Sequence, residues 1–452
     1  MTPSDLEALT ACIAAPNRVL TQPQTVQRLS RDFYWYSPVL KKLLDDKTAE
    51  AVVQPISTAE IVQVLRACYA RNIPVTARGA GTGNYGQAIP LRGGIVLDLA
   101  LMDALHEITP EGVAIAGPGI RLGVLETAAR AAGWELRCYP STLAKASLGG
   151  FLGGGSGGIG SIAHGGLRDF QTVRAIEVVT MEPEPRVVLH EGESVHDVLH
   201  AWGTNGIITK IWLALTPAVD WSQAVVTFPS FDQAFTFSET IATAENWQKR
   251  LVTTFEWPIP AAFTPIAQHL RPGQSTIFFM ISSAQLGALK EAAEAAGGEV
   301  TLTNAYIGPK TQPLLSDYTW NHTTLWYMKL DPAFTYLQCG FSASEARSQF
   351  AQLKARYADD FLLHIEFVKQ ASGTVVPGSI PVVRFTTEER LNDMIDFCRS
   401  IGVFVANPHS NNVEGGGRYR EDNVQLLTKY KYDPLGLLNP GKMATFTPAL
   451  RS

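Results

Sequence analysis

The chain has 452 residues, 46% of them hydrophobic and 17% charged, enough apolar material for large cores in two or more domains and too much for global disorder. Lys and Arg total 37 against 42 Asp and Glu, a formal charge of -5, which gives no basis for a nucleic-acid surface and favours a small-molecule partner. Cys12, Cys68, Cys138, Cys339 and Cys398 stand singly, without the spacing of a zinc site or a disulfide framework, which suits a reducing compartment.

At the amino terminus, MTPSDLEALTACIAAPNRVL carries Asp5 and Glu7 where a signal peptide is basic. No later segment reaches the roughly 18 to 20 uninterrupted apolar residues of a membrane span. A cytoplasmic location is expected, with peripheral membrane attachment left open.

AVVQPISTAEIVQVLRACYARNIPVTAR changes period twice: a short strand, a helix capped by Ser57 or Thr58, then a strand over Pro74 to Ala77. Ile61, Val64, Leu65 and Cys68 share one face of that helix. GGIVLDL, GVAIAGPG, RAIEVVT, RVVLH and GIITKIWLAL read as further strands, and LGVLETAARAAGW as a helix between them. After Pro217 the texture changes. Segments 223–245, 275–302 and 334–357 each run strand, turn, helix, like ferredoxin-like units of one antiparallel sheet with helices on one face, and a last unit runs over 380–409. The tail KYKYDPLGLLNPGKMATF has no core of its own and must pack on what precedes it.

RGAGTGNYGQ, residues 78–87, follows a strand and holds four glycines, so its backbone can bring N–H groups close to phosphate oxygens. A Rossmann reading fails because Pro90 and a glycine pair follow where a helix should start, and no Gly-Lys-Ser/Thr completes a Walker loop. A second cluster, SLGGFLGGGSGGIGSIAHGG, is half glycine over residues 147–166. Leu148, Phe151, Leu152, Ile159 and Ile162 are interleaved, so it reads as a packed wall and not as a linker.

Four stretches in order, RGAGTGNYGQ, YPSTLAKASLGGFLGGGSGGIGS, GTNGIITKIWLAL and KYKYDPLGLLNPGKM, resemble the vanillyl-alcohol oxidase superfamily with its PCMH-type FAD domain, in the branch of glycolate oxidase and D-lactate dehydrogenase. The resemblance covers almost the whole chain. It implies an α+β protein: a two-subdomain PCMH-type FAD-binding fold over 1–217, a ferredoxin-like antiparallel-sheet cap domain over 218–415 that takes substrate, and a segment over 416–452 returning to the FAD domain. By resemblance, Arg78, Gly79, Ala80, Gly81, Thr82 and Gly83 wrap the FAD pyrophosphate. Pro140, Ser141, Thr142, Ser147, Gly149, Gly150, Gly153, Gly154, Gly157 and Gly160 line the ribityl and phosphate path. Ile208 meets the adenine or is a plain core residue, and Asn439 and Lys442 close the site from the tail. Members with covalent flavin carry a histidine in the first loop or a cysteine in the second; Thr82 and Leu143 stand at those positions here, so the FAD is expected to be non-covalent.

A flavin takes a hydride, so the protein must aim a substrate C–H bond, accept a hydroxyl proton and stabilise developing charge. The polar cluster NPHSNNVEGGGRYR, residues 407–420, supplies His409 as first candidate for the proton, Glu414 as second, and Arg418 or Arg420 for a substrate carboxylate. Asn411, Tyr430 and Tyr432 could orient substrate, although tyrosines in such a tail more often pack. In the cap, DYTWNHTTLWYMK concentrates Trp320, His322, Trp326, Tyr327 and Lys329, either as core or as a cavity wall. The histidine-glycine-aspartate-glycine metal motif of related D-lactate dehydrogenases is replaced by FLLHIEFVKQ, with only His364 and Glu366, so no metal is expected.

The expected activity is FAD-dependent oxidation of a CH–OH group, of a small 2-hydroxy acid first, of a sugar or other alcohol second, by a dehydrogenase or oxidase that also needs an electron acceptor. The altered histidine signature in PHSNNVEGGG weakens the hydroxy-acid reading. A flavin-binding subunit of a larger oxidase complex, with no substrate of its own, is the alternative from another class.

Overall fold

A computed structural model describes residues 1–414 and 423–449. Four sheets organise them. The first is the strands Val19–Leu20, Ala51–Val53, Ile95–Asp98 and Val75–Arg78 in that spatial order, the last three parallel. The helix Thr58–Arg71 makes the crossover. Ser57 caps it by accepting from Glu60 N at 3.2 Å, Asn72 ends it at φ 55°, and the face of Ile61, Val64, Leu65 and Cys68 is buried on the sheet as the 3.6-residue period demands.

In the second sheet the long strand Ile207–Pro217 is central, flanked by Val113–Ala116 and Val173–Val179, all antiparallel. Leu122–Ala131 is the intervening helix, buried through Leu122, Leu125 and Ala129. The chain passes from this sheet to the third between Pro217 and Trp221.

The third sheet has eight strands, from Glu299–Tyr306 at one edge to Phe404–Ala406 at the other. Its side chains alternate between two cores, which is the period-2 consequence of a pleated strand. Ala224, Val226, Phe228, Ile277, Phe279 and Ile281 face the helices Phe231–Thr243, Leu286–Ala295, Ala346–Tyr357 and Glu388–Ser400. Val225, Phe255 and Phe278 face the opposite way, towards Ile259, Phe263 and Tyr318. These four helices thus lie on one side, while the helix Asn321–Leu330 packs on the other through Tyr327, against the expectation of helices on one face alone. A three-stranded sheet of Phe334–Tyr336, Val382–Arg384 and Phe361–Leu362 completes the second face.

Two contacts join these layers near the glycine segments. Arg250, fully buried in the strand Lys249–Phe255, pairs with Glu126 at 3.0 Å and Glu135 at 3.6 Å, and donates to Leu136 O at 2.8 Å. The tail reaches the open edge of the parallel sheet: Val75 N donates to Leu437 O at 2.8 Å and Asn439 N to Val75 O at 2.7 Å.

The second glycine segment departs from its sequence reading in one respect. Residues Leu148–Gly154 form a short helix despite four glycines, because Leu148, Phe151 and Leu152 point into the core that the second sheet shares with the third. Packing overrides propensity there.

Candidate cofactor and substrate cleft

One long cleft runs between the glycine segments and on beneath the eight-stranded sheet. Its first wall is the loop after the strand Val75–Arg78. The Arg78 guanidinium folds back under the loop to donate to Arg31 O, and a Cβ at Gly81, φ 65°, would overlap it. A Cβ at Gly79 would meet Ser147 Oγ at 2.2 Å, the atom that accepts from Ala80 N at 3.0 Å. The first loop therefore sits directly on the start of the glycine helix, and neither chain has room for a side chain at the crossing. The N–H groups of Gly81, Thr82 and Gly83 find no acceptor among the described residues.

The second wall is that helix with the loop after it. Gly149 is pressed on Pro118, where a Cβ would come within 2.4 Å of the proline Cβ, whereas a Cβ at Gly153 would meet nothing within 4 Å. Pro140, Ser141, Thr142, Ser147, Gly149, Gly150, Gly153, Gly154, Gly157 and Ile208 all line the cleft, as do Arg78 to Gly83. Tyr85 and Trp202 stand parallel, with centroids 6.2 Å apart and planes 9° from each other, both on the cleft.

Three expected cofactor residues lie elsewhere. Gly160, at φ 95°, donates its N–H to Arg250 O at 2.8 Å and abuts Arg137 O, so it anchors the wall to the eight-stranded sheet. Asn439 stays behind the cleft. Its Nδ2 donates to Gln87 O at 2.8 Å and Trp202 O at 2.7 Å, tying together two loops that do line it. Lys442 is also behind the wall, with a buried Nζ that has no hydrogen-bond partner among the described residues. Its opposite charge is Asp32, a cleft residue missed in the sequence, which accepts from Tyr34 N and Ala88 N at 3.0 and 3.3 Å. Burial outweighs their attraction on both sides: Asp32 is pushed up to about 6 and Lys442 down to about 8.

A dinucleotide fits this donor set. Bare backbone N–H groups suit a diphosphate, and Gly153 leaves space that any side chain would fill. The buried Asn84 Nδ2 and Trp202 Nε1, both on cleft residues, lack partners among the described residues.

At the far end the walls come from the cap: Trp320, Asn321, His322, Gln338, Glu366, Ser379 and Ile380, with Phe33, Tyr36 and Phe404. Of the expected catalytic residues, His322 is the one brought here. Its Nδ1 donates to Asp317 O at 3.1 Å, so the hydrogen sits on Nδ1 and the Nε2 lone pair is unspent. Burial holds its pKa down to about 4, so the ring is neutral at physiological pH.

The other described candidates are placed away from the cleft surface. His409 is fully engaged: Ser37 Oγ is 2.7 Å from Nδ1 and Tyr336 O accepts from Nε2 at 2.8 Å. Glu414 accepts from Ala444 N, Thr445 N and Thr445 Oγ1, which pins the tail. Asn411 does not line the cleft. Tyr430 is on the outer face of the helix Asn423–Tyr432, its ring on Phe446 and its hydroxyl accepting from Thr447 N, and Tyr432 packs on His190. These side chains satisfy loop and tail backbone groups, a use of polar residues that a sequence does not distinguish from catalysis. Arg418 and Arg420 lie outside the described residues. Among those described, no cluster of three or more His, Cys, Asp or Glu is placed to hold a metal.

Residues 49–187 match a family model described as an FAD binding domain. An uncharacterized FAD-linked oxidoreductase of Mycobacterium tuberculosis is 29% identical over 191 residues, 40% of this chain and 40% of that protein. A D-lactate dehydrogenase of Archaeoglobus fulgidus is 30% identical over 193 residues, 40% of this chain and 42% of the relative. The chain thus spans about two fifths of the length of these curated relatives. The fold reaches further: a solved alkyldihydroxyacetonephosphate synthase superposes over 97% of this chain and 86% of its own, with a TM-score of 0.73 at 15% identity. Both glycine walls, residues 78–87 and 147–166, fall within the stretch that matches the FAD binding domain, and the whole chain shares the fold of that synthase.

Proposed function

We propose that the chain is an FAD-dependent oxidoreductase that oxidises the CH–OH group of a small 2-hydroxy acid. The observation that carries this reading is the continuity of one cleft from the glycine walls to a polar end in the cap, where His322 presents an unspent lone pair. The D-lactate dehydrogenase relative supports the substrate class. Bound FAD supplies the acceptor for the hydride that leaves the substrate carbon.

The protein's own part is binding, orientation and proton handling. Arg78 to Gly83 and Ser147 to Gly157 hold the dinucleotide through backbone groups, with no covalent bond from Thr82 or from Leu143, which is fully buried in the core. His322 Nε2 receives the hydroxyl proton, because its neutral ring is held in one tautomer by Asp317 O. The aromatic rim of Phe33, Tyr36, Trp320 and Phe404 excludes water from the substrate. His409 and Asn439 support the walls, and Lys442 compensates Asp32. We place the enzyme in the cytoplasm, on the strength of its free cysteines, with a separate electron acceptor; no helix among the described residues is long and apolar enough to cross a membrane.

The test is anaerobic addition of D-lactate, glycolate and a panel of sugars to the FAD-loaded protein, followed at the long-wavelength flavin band. Bleaching by a hydroxy acid is the expected result. Bleaching by sugars alone moves the activity to the second substrate class, and bleaching by none favours a flavin-binding subunit without its own substrate.

A further inference from the structure

Glu366 is an ionisable group in the wall of the substrate end that no motif reading assigns. It lies in the strand His364–Lys369, only 2% exposed, on the face that also places Val368 on the cleft. Its Oε1 accepts from Trp320 N at 2.8 Å and from His364 Nε2 at 2.9 Å, and its Oε2 accepts from Thr253 Oγ1 at 2.5 Å.

The hydrogens around this pair can be assigned from geometry. His364 Nδ1 faces Ile380 O at 3.1 Å, and a carbonyl oxygen only accepts. On the other side Nε2 faces Glu366 Oε1 and, at 3.3 Å, Thr323 Oγ1, whose own proton goes to Tyr318 O at 2.7 Å. Each of these neighbours of the imidazole is an acceptor. His364 Nδ1 therefore donates to Ile380 O, and one hydrogen lies between Nε2 and Glu366 Oε1.

A carboxylate has about four acceptor positions, so one remains. Protein donors fill three, and Glu366 borders the cleft. Two more acceptors share this end: His322 Nε2, and Asn321 Oδ1, which is buried without a partner among the described residues. The unpaired donor beside them is Trp320 Nε1, also buried. Arg78, in the first glycine loop, is the one Lys or Arg among the described cleft residues. Among those residues, this end of the cleft therefore offers several acceptors, neutral donors that include the unpaired Trp320 Nε1, and no Lys or Arg.

The backbone is bent to build it. Trp320 adopts φ 53°, ψ −136°, a region that side chains rarely enter without strain, and this conformation delivers its N–H to Glu366.

We propose that Glu366 is the specificity-determining residue of the substrate site, and that it selects a polyhydroxylated substrate: a hydroxy acid with at least one hydroxyl besides the one oxidised. The second hydroxyl donates to Glu366, and an oxygen of the acid accepts from Trp320 Nε1. His364 is a positioning residue that keeps the carboxylate oriented and compensated. A substrate lacking the second hydroxyl leaves a buried carboxylate short of a donor, and sites built this way reject such analogues by large factors, up to about 10⁴–10⁵. This inference rests on the proposed oxidation of a CH–OH group.

The experiment compares D-glycerate with D-lactate, two 2-hydroxy acids that differ by one hydroxyl, using kcat/KM for reduction of a dye acceptor by the FAD-loaded protein. Wild type is expected to prefer glycerate by about 10² or more. Glu366→Gln, checked for unchanged FAD content, is expected to lose most of that preference, through a lower glycerate value and a higher lactate value. His364→Gln should shift the ratio the same way. Equal rates for the two acids in wild type, or a preference that survives in Glu366→Gln, would overturn the assignment even if the variants fold poorly, since the first comparison needs none. If neither acid nor any other alcohol reduces the flavin, it is the oxidoreductase reading that has failed.

Discussion

His409 makes the sharpest single test of the structure, because its two ring bonds assign it to architecture where the sequence points to chemistry. Its pKa is pushed from 6.5 down to about 4 by complete burial, only partly opposed by the Tyr336 carbonyl. A histidine with a depressed folded pKa stays neutral in the native state while the unfolded chain binds a proton. Stability is therefore fully present above pH 6.5 and is lost as pH falls towards 4. A difference of 2.5 units corresponds to about 3 kcal/mol at full protonation, and to about 2 kcal/mol at pH 5. His322 and His164 are lowered to about 4 as well, so wild type alone cannot isolate His409. The comparison is with His409→Gln. Urea unfolding would be followed by tryptophan fluorescence at pH 7.5 and 5.0, at fixed ionic strength and saturating FAD. The variant should be less stable at pH 7.5, since Ser37 Oγ and Tyr336 O lose their partner, yet lose about 2 kcal/mol less than wild type on going to pH 5. Its flavin reduction by substrate should stay within a few fold. Equal pH slopes would refute the burial argument, and a fall in reduction rate of about 10² would restore His409 as the proton acceptor.

Further expectations concern the cofactor walls and the layer beneath them. Gly149→Ala forces a methyl into Pro118 and should cost about 1–3 kcal/mol in thermal unfolding of the apoprotein, whereas Gly153→Ala, with nothing within 4 Å, should leave apoprotein stability alone and weaken FAD binding. Loss in the same assay for both, or neither, would contradict the packing described. Arg250→Met leaves the buried Glu126 without its cation, while Glu135 keeps Arg130, and should destabilise by about 3–5 kcal/mol, with partial recovery when Glu126→Gln is added. Acid precipitation should release all the yellow colour as free FAD; colour that stays with the chain would show a covalent bond and void the reading of Thr82 and Leu143.

Much of the fold is written in periodicity. The helix over Thr58–Arg71 and the strands of the second sheet follow from apolar spacing and from Ser57 at the cap. The glycine walls were legible because close approach of backbone leaves few other residues usable, as the Gly79 and Gly149 contacts show. The substrate end was legible only through Trp320 and His322, the possible cavity wall of DYTWNHTTLWYMK. Asp32 and Glu366 are single carboxylates in unremarkable surroundings, and their importance comes from burial, which is a property of the folded chain. A signal did exist for Glu366: with His364 it puts two ionisable groups on one face of an otherwise apolar strand, LLHIEFV, and buried polar groups come in pairs. The polar cluster at 407–420 misled for the converse reason, since loops and tails need polar side chains to satisfy their own backbone, as Glu414 does at Ala444 and Thr445.

The bonds from Asn439 to Gln87 and Trp202 join residues 352 and 237 positions apart in sequence. During synthesis the first glycine loop leaves the ribosome hundreds of residues before the side chain that ties its neighbours together, and the edge of the parallel sheet at Val75 stays open until Leu437 and Asn439 arrive. Closure of that edge, and of the tie between the Gln87 and Trp202 loops, therefore waits for residues 437–439. A chain cut within the cap would carry both glycine segments without the bonds from Asn439 that join the Gln87 and Trp202 loops.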